Sequence, residues 1–176
     1  MNIHDDEDIW TCMLLVHDHK ESFLVVNNPH KDCFLSERWA LPFFDNESPN
    51  STPTHTANWL AKAFLEIELP EHELRLVCTT RDDMGFLVYL FENTLVTPEI
   101  KKMFDFDAFG DWYQTMTFHR AGLIHSGLDS QHKIILSEGA GLIENYSNSG
   151  DRTFLKIVHS KKDLKSKVHG FAPKPL

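Results

Sequence analysis

Trp39-Ala40-Leu41-Pro42-Phe43-Phe44 runs into a polar loop, Asp45 to Pro53, and then into an apolar series, Trp59, Leu60, Ala63, Phe64 and Ile67. Those five side chains recur at i, i+1, i+4, i+5 and i+8, which on a 3.6-residue period forms one continuous stripe. The spacing predicts an amphipathic helix with this stripe against the core. Thr52 supplies a capping hydroxyl, and Pro53 suits the first helical position, where its missing N–H costs nothing. Pro70 is expected to close the helix.

The flanks of this segment read as strands. Trp10 to Val16 and Ser22 to Asn27 cluster apolar and β-branched residues between polar turns, with His17 to Glu21 as the connection. Asn27 to Asp32 breaks the second strand, and Cys33 to Phe44 reads as extended chain ending at Leu41-Pro42. After Pro70, Glu73 to Thr80 and Gly85 to Asn93 predict two more strands around the turn Arg81 to Asp83. Beyond Thr94 the pattern is weaker: Pro98 to Phe104 reads as a short helix, and Trp112 to Phe118 as a strand or an aromatic loop. Gln131 to Leu142 mixes helix and loop signals, and Thr153 to His159 reads as a late extended run. There is no internal repeat and no linker that splits the chain.

The 176 residues, 41% of them hydrophobic, suffice for one core. Cys12, Cys33 and Cys78 are too scattered for a disulfide framework or a zinc set, so reduced, buried thiols are expected. Met1 to Asp8 carries four acidic residues where a secretory signal would carry basic ones. A cytoplasmic location is therefore expected, with the sequons at Asn46, Asn50 and Asn145 unmodified. No apolar run approaches the ~20 residues needed to cross a bilayer, so the chain is expected to be soluble, without a membrane partner. Net charge is −9, yet residues 151–176 hold seven basic and two acidic side chains, which leaves −14 for residues 1–150. An acidic body repels nucleic-acid backbones. The basic end, with Lys156, Lys161, Lys162, Lys165, Lys167 and Lys174, reads either as a contact for a protein or RNA partner or as a solvated terminus.

The order strand, strand, Trp39-Ala40-Leu41-Pro42, polar loop, amphipathic helix, strand, strand resembles the Nudix superfamily over about residues 10–95. In that family Trp-x-Leu-Pro-Gly-Gly leads through a loop into a helix reading Arg-Glu-x-x-Glu-Glu-x-Gly. Here Leu41-Pro42 match, Phe43 and Phe44 replace the glycines, the loop is about three residues longer, and the helix reads Ala61-Lys62-Ala63-Phe64-Leu65-Glu66. In one register Ala61 stands for the arginine, Lys62 and Leu65 for two glutamates and Glu66 for the last. Shifted by one, Lys62 stands for the arginine, Ala63 and Ile67 for two glutamates and Glu66 for the third. In both registers Glu66 alone keeps a carboxylate. The resemblance implies an α+β fold, a mixed β-sheet flanked by helices, with the Nudix-like domain at residues 1–150 and residues 151–176 as a basic extension partly packed on it.

Magnesium is a small, hard cation that takes oxygen ligands in near-octahedral geometry, and side chains at i, i+3 and i+4 share the helix face that would aim several carboxylates at it. Glu66 alone cannot replace such a cluster. The expected function is binding of a nucleotide or nucleoside-diphosphate-type ligand, or of a macromolecular partner, without efficient hydrolysis and without a cofactor. The alternative is an active magnesium-dependent pyrophosphohydrolase with ligands recruited from Glu47, Glu66, Glu71, Glu73, Asp82 or Asp83. Glu66 is then the catalytic candidate.

Four further residues are candidate ligand contacts, each with a plainer reading beside it. Lys62 is a phosphate contact or a surface lysine. Phe44 stacks on a base or is a partly covered neighbour of Phe43. Arg81 meets a phosphate or pairs with Asp82 and Asp83 in a turn. Trp112 stacks on a ligand ring or lies buried over the sheet. His17-x-His19 with His30 or His55 would approximate a zinc set, against which stands a hairpin turn with exposed histidines. Ser137-Glu138-Gly139-Ala140-Gly141-Leu142 has glycines at half a dinucleotide-fingerprint spacing but reads as a loop.

Overall fold

Six consecutive buried side chains make Trp10–Leu15 (β1) a strand covered on both faces. The structure, a computed structural model, describes residues 9–30, 37–46, 51–105 and 112–144. Ser22–Asn27 (β2), Trp39–Ala40 (β3) and Phe43–Asn46 (β4) follow, then the helix Pro53–Leu65 (α1). Leu74–Arg81 (β5) and Leu87–Asn93 (β6) form a hairpin, followed by Pro98–Asp105 (α2), Tyr113–Thr117 (β7), Phe118–Ala121 (α3) and Ser130–Ile134 (α4), which runs on into a π-helical turn, Ile135–Gly139. The fold is α+β, as expected. Its strands form two sheets: a mixed one ordered β4-β1-β6-β5, in which β1 and β6 run parallel, and an antiparallel one ordered β3-β2-β7.

Side chains alternate along a strand, so one strand feeds two cores. Met13, Leu15, Phe23, Val25, Val88 and Leu90 enter a core closed by Leu128, Ile135, Leu136 and Leu142 from the α4 side. Cys12, Leu14, Leu24, Val26, Tyr89 and Phe91 enter the other, closed by Leu60, Ala61 and Leu65 of α1 and by Ile100 and Met103 of α2. The strands thus lie between two helical layers. Cys12 and Cys78 are free and buried, and burial pushes the Cys12 thiol up, away from nucleophilic chemistry.

Thr52 caps α1 as expected: its Oγ1 accepts from the His55 N–H at 3.1 Å. Thr52→Ala should cost about 1 kcal/mol, read as a lower urea midpoint at unchanged slope. The buried face differs from the predicted stripe. Pro53, Thr56, Ala57, Leu60, Ala61 and Leu65 are covered, while Trp59 is 45% exposed and Ala63 is also exposed. The small side chains Ala57 and Ala61 let the helix lie close to the sheet, and that closeness outweighs the larger apolar area of Trp59. The helix also stops earlier than Pro70. Glu66 adopts a left-handed conformation, φ 58° and ψ 30°, and the Ile67 N–H returns to the Ala61 carbonyl at 3.3 Å.

Two other expectations are corrected. Ser137 to Gly139 belongs to the π-helical turn rather than a loop, because the segment is held over the sheet, with Gly139 against Thr80 and Cys78. The β1–β2 turn does not expose both histidines: His17 is fully buried beside β6, and His19 is half-buried. The predicted strand Thr153–His159, the basic extension, Cys33 and Glu47 lie outside the described residues. Among the described residues no helix is long and apolar enough to cross a membrane.

Candidate functional site

The end of α1 brings Glu66 and Trp112 onto one cleft of about 290 Å³, although 46 positions separate them in the chain. Phe64, Ala63, Val26 and Asn27 complete its walls. Trp112 is 46% exposed and meets Tyr113 edge to face at 5.3 Å, so the expected burial over the sheet is replaced by an open indole face. The reason is register: Tyr113, paired with Val26, takes the inward position at the start of β7, and Trp112 precedes it on the rim.

The other residues singled out from the sequence are dispersed. Lys62 Nζ donates to Glu68 Oε1 at 2.8 Å on the exposed side of α1, and that hydrogen bond raises its pKa. Its ammonium has an internal carboxylate partner. Phe44, 43% exposed, packs against Trp59 at 5.1 Å and lines a separate cleft with His55 and Ser51. Arg81 Nη1 donates to the Gly85 carbonyl at 2.6 Å and braces the β5–β6 turn. Asp82 shapes the same turn by accepting from the Met84 and Phe86 N–H groups, both at 2.9 Å.

The residues of α1 do not fit a magnesium ion. Ala61 and Leu65 are buried among apolar neighbours, Lys62 is paired with Glu68, and Glu66 is the one carboxylate at the matching positions. Among the described residues no three His, Cys, Asp or Glu side chains stand close enough together to hold a metal ion. His17 and His19 meet in a tilted contact, 4.1 Å between ring centres, but His17 faces Glu92 and His19 Nε2 meets the Asn93 carbonyl. They serve a buried polar network rather than a zinc set. In that network Arg75 Nε donates to Glu92 Oε1 at 2.6 Å, and His17 Nε2 stands 3.3 Å from Glu92 Oε2. Burial alone would push the Glu92 carboxyl up; the His17 hydrogen bond and charge, with the Arg75 guanidinium, outweigh it and hold the group below the usual carboxylate range.

A second cleft, of about 210 Å³, lies on the face of the mixed sheet opposite α1, floored by Met13, Val88 and Ile135. It gathers Asp82, Asp83 and His30 with Asp45, Asp129 and His132, the last three carrying no sequence signal for a site. Asp129 caps α4, accepting at Oδ1 from the Gln131 and His132 N–H groups, and its Oδ2 accepts from Asn28 Nδ2 at 2.9 Å. His132 is 3% exposed, and its Nδ1 accepts the Leu41 N–H at 3.0 Å. Burial holds its pKa well below the ordinary histidine value. An aspartate just before a helical segment is the one local signal that could have marked Asp129; nothing local marks His132.

Compared with known proteins, the chain matches no protein-family model, and no curated protein matches it.

Proposed function

We propose that this chain is a nucleotide-type ligand-binding domain built on a Nudix-like plan, cytoplasmic, and inefficient as a hydrolase. The observation that supports the reading is the meeting of Glu66 and Trp112 in one cleft. An exposed indole face offers a stacking platform for a base. A carboxylate beside it accepts hydrogen bonds from the N–H groups on the ring edge. Glu66 carries a second mark: glycine or asparagine is preferred at a left-handed cap, and a glutamate held there keeps a strained backbone in exchange for its side chain. A lone carboxylate can orient a ligand but cannot assemble the several oxygen ligands that a catalytic magnesium ion needs.

The reading predicts opposite effects from one substitution. Glu66→Gly should raise stability by about 0.5–1 kcal/mol through the relieved cap and weaken ligand binding. Trp112→Ala should remove about 1–3 kcal/mol of stacking, at least a fivefold loss of affinity. Calorimetry with ADP-ribose, dinucleoside polyphosphates and nucleoside triphosphates, with and without magnesium, reads both. Affinities indifferent to Trp112→Ala would sink the reading, as would magnesium-dependent turnover abolished by Glu66→Gln.

A further inference from the structure

His132 decides what the second cleft can take. Its Nδ1 accepts a backbone N–H, so that nitrogen carries a lone pair and the ring proton sits on Nε2. Among the described residues Nε2 has no partner, and His132 lines the cleft. The cleft therefore contains a neutral N–H donor on a ring 97% buried, held at a set angle by the Leu41 backbone and by Phe43, whose ring meets it edge to face at 4.9 Å. The depressed pKa keeps this group neutral at ordinary pH.

The other polar groups of the lining are four carboxylates, Asp45, Asp82, Asp83 and Asp129, beside Thr11, His30 and Gln131. Asp45 commits one oxygen to Thr11 Oγ1 at 2.6 Å, and Asp82 commits one to its own turn. Their second oxygens, and the exposed carboxylate of Asp83, remain for a ligand. Phe43 and His30, with ring centres 5.3 Å apart, give the cleft an aromatic wall. We propose that this cleft recognises a 2-amino-4-oxo-pyrimidine edge, the edge presented by guanine. The ring carbonyl accepts from His132 Nε2–H, while the adjacent ring N–H and amino N–H donate in parallel to one carboxylate. A volume of about 210 Å³ falls below the roughly 300–1,000 Å³ of drug-sized sites, so one ring system enters rather than a whole dinucleotide.

Competing occupants fail on the same chemistry. A metal ion cannot use Nε2, because a protonated ring nitrogen has no lone pair to give, and ligating histidines donate from their other nitrogen where this one accepts. An alkylammonium satisfies the carboxylates but leaves the buried N–H without an acceptor. A phosphate meets the four carboxylates Asp45, Asp82, Asp83 and Asp129. A uracil-type edge turns its second carbonyl toward those same carboxylates. This site does not depend on the Glu66–Trp112 cleft, which lies on the other side of the sheet.

The test is a titration of the full chain, labelled with ¹⁵N histidine, with isocytosine, guanosine, inosine and putrescine. The expected result is an Nε2–H tautomer for His132 in the free protein and a shift of its Nε2 signal with isocytosine and guanosine. Inosine, which lacks the 2-amino group, should bind at least about tenfold more weakly. Asp83→Asn, an exposed change that leaves the fold intact, and Asp45→Asn should each weaken guanosine, whereas Trp112→Ala should not. Putrescine should not displace guanosine. The proposal is overturned by an Nδ1–H tautomer, by equal affinity for inosine and guanosine, by displacement with putrescine, by loss of guanosine binding in Trp112→Ala, or by no shift at millimolar ligand.

Discussion

Asn93→Ala is expected to cost about 3–5 kcal/mol of folding stability. Asn93 is fully buried at the end of β6, where its Oδ1 accepts the His17 N–H and its Nδ2 donates to the carbonyls of His17 and Leu95, each at 2.9 Å. One amide side chain thus serves three backbone groups of the β1–β2 and β6–α2 connections. Truncation leaves all three without that partner, and each buried orphan costs about 1–3 kcal/mol, partly relieved where water enters. Asn93→Asp should be no milder, since it removes both N–H donors and places a charge beside buried Glu92. Urea unfolding reads the effect as a lower midpoint at unchanged slope. A loss below about 1 kcal/mol would mean that the turn finds other partners and that the network is dispensable.

Acid should unfold the protein in two separable stages, and His132 governs the first. Burial disfavours its imidazolium, so its folded-state pKa lies below the ordinary 6.5. As pH falls through 6.5 the unfolded chain takes up a proton that the folded chain refuses. Stability present above 6.5 is therefore lost on the acid side, by up to about 1.4 kcal/mol per pH unit while the two states differ by one proton. His19, lowered by burial and by His17, adds a smaller loss in the same direction. Glu92 acts later: its carboxyl is held below 4.5, so its contribution is present above that value and disappears only as pH falls toward the folded pKa. His132→Gln provides a non-titrating oxygen for the Leu41 N–H and should flatten stability between pH 4.5 and 6.5 while leaving the steeper fall below it. An unchanged slope in that variant would show that other groups carry the first stage.

The contrast between α1 and the second cleft shows which signals were local. Thr52-Pro53 announced the helix start because capping is settled within one turn, and the order of strands around it followed from runs of apolar and β-branched side chains bounded by polar turns. β2 has the predicted boundaries, Ser22–Asn27. The stripe of α1 was misjudged because apolar area along the helix does not say which face can approach a sheet; Ala57 and Ala61 settle that by being small. The end of α1 was misplaced because Pro70 is a visible stop signal, whereas a left-handed glutamate is not. The sequence places His17 in an exposed turn because its partners, Glu92 and Asn93, lie at the end of a strand far along the chain.

Glu66 and Trp112 were each legible as candidates, the first from a resemblance and the second from its chemistry, but not as neighbours. Nor could the sequence indicate that Lys62 is held by Glu68, or that Arg81 reaches the Gly85 carbonyl across its turn.

Local chemistry, then, determined where strands and the first helix begin, and that Glu66 alone keeps a carboxylate at the positions compared with the family pattern. Tertiary packing decided which helix face is covered, that Glu66 and Trp112 share a cleft, and that His132 is a neutral donor. The last depends on a hydrogen bond to Leu41, 91 positions away. A cap or a stripe is written within a few residues, whereas the tautomer of a buried imidazole is set by whichever backbone group the fold brings against it.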